Sequence, residues 1–154
     1  MEALELRQRQ KSDELGIFRL YHVAVPPHVR SMEGMTLEEW RATRDVQFWQ
    51  QREFVCSQED RVRGWLQVNR GGGCGQFRLL LHPEDAFRLE GFVALALARL
   101  RRKQPVLALV PYFQPDLQSL LKEAWGFEEV AEYESLARQL AVRVPEARLV
   151  PARA

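Results

Sequence analysis

The sequence has no apolar run of membrane-spanning length, and its opening residues, MEALELRQRQ, are acidic and polar where a secretion signal would be basic and then apolar. No membrane partner is expected. Cysteine is scarce: Cys56 and Cys74 are the only two, and they have neither metal-ligand nor redox spacing. Free thiols, no bound metal and a reducing, cytoplasmic location follow as expectations. Net charge is nearly absent, with 22 Lys and Arg against 21 Asp and Glu. That argues against a broad nucleic-acid-binding surface. Arg99, Arg101, Arg102 and Lys103 do cluster. Cations are expected at a helix C-terminus, however, and no aromatic stacking platform accompanies them, so no nucleic-acid partner is expected.

What is present is an ordinary globular composition, 46% hydrophobic and 28% charged over 154 residues. One domain over residues 1–144 is expected, with 145–154 as a tail or linker. Leu4 and Leu6 alternate with polar residues, predicting a strand over 3–9. Ser12 is a candidate N-cap for a helix whose face is Ile17, Phe18, Tyr21, Ala24 and Val25. Pro26-Pro27 should end it, leaving 26–35 as a connector. Thr36-Leu37-Glu38-Glu39 is a capping box that starts a helix through Trp40. Strands are predicted at 53–57 and 61–69. In the second, Val62, Gly64, Leu66 and Val68 share one face, and Arg63, Trp65, Gln67 and Asn69 the other. The string Asn69-Arg70-Gly71-Gly72-Gly73-Cys74-Gly75 invites a phosphate-loop reading, but that requires a helix to follow. Residues 76–81 read as a strand instead, so the string predicts a hairpin.

The chain is organised around residues 79–127. Pro83, followed by Glu84 and Asp85, suits a helix start. Leu89, Phe92, Val93, Ala96, Leu97 and Leu100 then form one stripe at spacings of three and four. Val106 to Val110 is a continuous apolar run, as in a strand covered on both faces. A second helix buries Leu117, Leu120, Leu121, Ala124 and Trp125 and stops at Gly126. Leu97 and Trp125 are expected in the core. Strand, helix, strand and helix with short connections predict parallel strands at 76–81 and 105–111. Residues 127–140 alternate poorly, and a helix over 134–142 is possible.

Three pieces in this order resemble the acyl-CoA-binding half of the GNAT superfamily of N-acetyltransferases. His82-Pro83-Glu84 follows an apolar strand, a long amphipathic helix comes next, and the later helix ends LLKEAWGF. The resemblance implies an α/β (α+β) fold: a mixed, mostly antiparallel central sheet with helices on both faces, splayed between the strands near 76–81 and 105–111. It implies that His28, Arg30, Trp40 and Trp65 line the acceptor wall. It also implies that pantetheine pairs with the backbone of Leu79, Leu80 and Leu81, and that a closing strand or hairpin follows near 128–135.

The cofactor loop departs from the family's pattern. Where the family has Q/R-x-x-G-x-G/A, this chain has Ala86-Phe87-Arg88-Leu89-Glu90-Gly91. Only Gly91 matches, and Arg88 is the one nearby side chain able to meet a phosphate. The tyrosine that often protonates the departing thiolate is replaced by Lys122, with Tyr112 as a substitute near the cleft. Glu59, Asp60 and His82 are candidate bases. Two readings follow. In one, the domain has lost or weakened acetyl-CoA binding and serves as a binding or structural module, half of a tandem protein or a homodimer, with no cofactor. In the other, it is an active acyl-CoA-dependent N-acetyltransferase acting on a small-molecule or peptide amine, with acetyl-CoA as cofactor.

Overall fold

The computed structural model describes residues 5–33, 36–38, 50–100 and 105–132. The expected residues Trp40 and Arg101 to Lys103, the predicted helix beyond residue 38 and everything after 132 lie outside them.

A short strand β1 (Arg7–Gln8) leads through a 3-10 turn (Lys11–Asp13) into helix α1 (Glu14–Ala24). The turn is held by Asp13, not by Ser12. The buried Asp13 carboxylate accepts from both guanidinium nitrogens of Arg7, at 2.7 and 2.6 Å, and from the Gln10 amide at 2.7 Å. The Arg7 bonds, more than any other influence, hold the Asp13 carboxyl below its ordinary range. A lowered folded-state pKa stabilises the protein above the unfolded value and loses that contribution as pH falls through the folded one. Stability should therefore fall with acid below about pH 4, where carboxylates of ordinary pKa begin to protonate. Urea titrations at stepped pH should show a shallower acid limb for Asp13→Asn than for the wild type.

Pro26-Pro27 ends α1 and at once starts another helix, α2 (Pro27–Glu33), where a connector was expected. Proline has no amide to lose at a first helical position and its φ is already helical, so the residue that stops one helix opens the next. Residues 37 and 38 are helical after Thr36, where a helix start was expected; Glu39, the other half of the capping box, lies outside the described residues.

Two long strands, β2 (Gln50–Gln58) and β3 (Arg61–Gly71), pair antiparallel, followed by β4 (Cys74–Leu81). Both hairpins turn through two residues with positive φ: Glu59 and Asp60 at 50° and 59°, Gly72 and Gly73 at 58° and 79°. The glycine string is thus a tight hairpin, as expected. After β4 come a 3-10 turn (Pro83–Arg88), helix α3 (Leu89–Arg99), the short strand β5 (Val106–Ala108) and helix α4 (Pro115–Trp125). The sheet order is β1-β2-β3-β4-β5, antiparallel except for the parallel pair β4–β5. This is the mixed, mostly antiparallel sheet that was expected.

Its two faces carry separate cores. Phe54, Leu66, Val68, Phe77 and Leu79 pack with Phe92, Val93, Ala96 and Leu100 of the α3 stripe and with Leu117 and Leu121 of α4. On the other face Val55 and Trp65 pack with Ile17 and Leu20 of α1. Leu97 is only partly buried against the first core. Trp125 is 39% exposed, contrary to its expected core position, because it lies in the last turn beyond Leu121. Gly126 caps α4 at φ 69°, and Phe127 donates back to the Leu121 carbonyl at 2.9 Å. Residues 128–132 are irregular, so the expected closing strand does not form there.

Candidate functional site

The gap between β4 and β5 follows from where their pairing stops. Register runs from Gly75↔Val106 to Phe77↔Ala108, with a last bond from the Leu109 amide to the Phe77 carbonyl at 3.0 Å. Leu79, Leu80 and Leu81 continue β4 beyond that point. In a strand, residues two apart point their backbone groups to the same side. The carbonyl of Leu79, like that of Phe77, therefore faces the gap.

That carbonyl is already bonded. Gln114, the residue before α4, donates from Nε2 to Leu79 at 3.1 Å. Its own Oε1 is buried without a hydrogen-bond partner among the described residues. Across the mouth, the Tyr112 hydroxyl meets Nε2 of His28 from the first turn of α2. Both side chains are exposed, and Tyr112 is 73% accessible. Tyr112 and His28 were singled out separately in the sequence, and the fold brings them together, on the segment that also carries Gln114 to Leu79. Gln114 was not among them.

The turn before α3 is closed by ion pairs. Buried Asp85 accepts from Arg63 Nε at 2.7 Å, and exposed Glu84 from Arg63 Nη2 at 3.1 Å. The Asp85 bond raises the Arg63 pKa above its ordinary value. Arg88 reaches Asp85 at 4.0 Å and Cys56 Sγ at 4.0 Å, so it turns inward beneath the helix start. Burial pushes the Cys56 thiol up, and both cysteines are free. His82 Nδ1 accepts from the Glu84 amide at 3.2 Å and so caps this turn. Gly91 is exposed, and a Cβ there would meet nothing within 4 Å.

The remaining expected residues lie elsewhere or serve the fold. Arg30 donates to the Val25 carbonyl at 3.1 Å, bracing the α1–α2 junction. Trp65 is buried on the α1 face, with Nε1 3.3 Å from Glu53 and the Arg78 guanidinium 5.3 Å above its ring. Lys122 is half-exposed and faces Glu129 at 3.5 Å. Glu59 and Asp60 sit at an exposed hairpin tip. Glu53, which was not singled out, is a half-buried polar hub: Gln51 donates to it at 2.9 Å and Arg9 lies at 3.3 Å. Among the described residues no cluster of His, Cys, Asp and Glu is placed to hold a metal ion, and no helix is long and apolar enough to cross a membrane.

This fold is shared with solved structures. An acetyltransferase from Thermus thermophilus matches with a TM-score of 0.57 and 24% identity, over 84% of this chain and 91% of that one. A transcriptional regulator from Bacillus halodurans matches with 0.57 and 17%, over 89% and 99%. The aminoglycoside N-acetyltransferase AAC(6')-Iy in complex with CoA matches with 0.56 and 13%, over 89% and 95%. The chain therefore has a GNAT-like fold. No family model matches it, and no curated protein does.

Proposed function

We propose that this chain is a GNAT-like domain whose acyl-CoA path is occupied by its own groups, and that it acts as a binding or structural module. The observation that carries this reading is the Gln114–Leu79 hydrogen bond in the gap between β4 and β5. Pantetheine bound there would have to displace it. The turn before α3 supports the same reading. A pyrophosphate would compete with the Asp85 carboxylate for Arg63 and Arg88, inside a turn that also carries Glu84. Like charge so close opposes an anion that the helix N-terminus would otherwise attract.

Isothermal titration with acetyl-CoA is the direct test, and no saturable heat is expected up to high micromolar ligand. Each lost charge-assisted hydrogen bond weakens binding by about 1.5–3 kcal/mol, so two of them amount to two orders of magnitude or more. Gln114→Ala should improve binding if the plug is the main obstacle. Micromolar affinity in the unaltered chain would overturn the reading.

The His28–Tyr112 pair favours the second reading, an N-acetyltransferase acting on a small-molecule or peptide amine. A phenol at the mouth of the gap can donate a proton to a departing thiolate, and His28 fixes its orientation. General acid catalysis contributes about 10²–10⁴-fold, so Tyr112→Phe should abolish most turnover with acetyl-CoA if this reading holds.

A further inference from the structure

At the other end of the sheet from that gap, three arginines line one shallow pocket. Arg52 of β2, Arg70 of β3 and Arg99 at the end of α3 surround Val68. Their convergence follows from the register. Arg52 pairs directly with Val68, so Arg70, two residues on along β3, is its diagonal neighbour on the same face. Gly75 lies opposite Arg70 in β4. A Cβ on Gly75 would come within 2.9 Å of Leu100, so the glycine lets the end of α3 settle onto the sheet. Arg70 donates through Nη2 to the Arg99 carbonyl, and the Arg99 guanidinium lies 4.6 Å over the Phe54 ring. Two of the three side chains are thereby held in place by contacts that use only part of their donor capacity.

No carboxylate of the described residues answers them. Among the described residues none of the three forms an ion pair with Asp or Glu, although the protein carries nearly equal numbers of acids and bases. Cations at a helix C-terminus explain Arg99 alone. They do not explain why two strand residues on the core face are also arginine. Their neighbours on that face, Phe54 and Val68, are buried apolar residues.

We infer that this pocket is an anion site for a phosphate or phosphomonoester group, separate from the acyl-CoA path. A monocarboxylate would leave two of three charges unanswered. A phosphoryl group near neutral pH carries more charge and offers three oxygens to planar guanidinium forks. Arg52 is the free arm that would close on the ligand, while Arg70 and Arg99 form a fixed floor.

The test is an NMR titration of the full chain with inorganic phosphate at constant ionic strength, following arginine Nε–H and backbone resonances. Saturable shifts are expected at Arg52, Arg70, Arg99 and the nearby Gly75 and Leu100 amides. A parallel titration with O-phosphoserine separates free phosphate from a phosphorylated partner: tighter binding points to a phosphomonoester, equal or weaker binding to the free ion. Arg52→Gln, which removes no contact holding the backbone, should weaken binding at least tenfold without altering the far-UV spectrum. Arg70→Gln should do the same, but could also loosen the end of α3. Linear shifts matched by chloride, or an unchanged dissociation constant in Arg52→Gln, would overturn the proposal.

Discussion

Asp85→Ala should destabilise the protein by about 3 kcal/mol, read as a shift of the urea midpoint with an unchanged slope. Asp85 is buried, and its carboxylate takes the shorter of the two Arg63 bonds, at 2.7 Å. Removing it leaves a mostly buried guanidinium whose remaining described partner is the exposed Glu84. Removing one member of a fully buried pair typically costs about 3–5 kcal/mol, and the partial exposure of Arg63 puts this case at the lower end. Replacing both partners, as Arg63→Met with Asp85→Leu, should cost much less, since no charge is then stranded. The same single variant bears on function. If Asp85 holds the turn before α3 against an anion, Asp85→Ala should bind acetyl-CoA better than the wild type despite being less stable. Equal or weaker binding would show that the ion pair is not the obstacle.

Phe92→Ala should cost about 3–5 kcal/mol by the same measurement. Phe92 is fully buried and is the α3 side chain that rests on β3 at Gly64. A Cβ on Gly64 would stand 2.2 Å from the Phe92 ring carbon Cζ, so Gly64→Ala should itself cost about 1–3 kcal/mol from overpacking. The two sites share one volume. The double variant Gly64→Ala with Phe92→Leu should therefore cost less than the sum of its single changes. Strict additivity would mean that the ring does not rest on Gly64.

The parts of the fold that were legible in the sequence are those set by short-range periodicity. The α3 stripe from Leu89 to Leu100 obeys the helical spacing and is buried or partly buried throughout. The alternation assigns Gly64 to Val68 to the correct faces of β3, but Val62 packs on the α1 face beside Gly16, because the pairing with β2 shifts register between Cys56 and Ser57. Gly126 marks the end of α4. Misreadings arose where one residue had two local meanings, as with Pro27, where an apolar pattern outran its support, as with Trp125, or where the resemblance stood in for a pattern, as with the closing strand near 128–135, whose described part is irregular. The site was legible only in fragments. His28 and Tyr112 are 84 residues apart and Gln114 is 35 from Leu79, so only the tertiary fold could show that they meet. Nor does local spacing tell that Asp85 answers Arg63, 22 residues earlier.

The brevity of the β4–β5 pairing bears on how the chain folds. Strands β2, β3 and β4 form a meander joined by two-residue turns, so their contacts close small loops at low entropic cost and can form early. β5 must wait for α3 to be laid across the sheet, and it then gains only three paired residues. It should dock after the meander has formed and leave before the meander opens. Its amides should exchange with solvent through local opening while those of β3 require global unfolding. The wall of the gap opposite Leu79 thus belongs to a weakly protected part of the sheet, and a ligand that entered there would act by holding β5 in place.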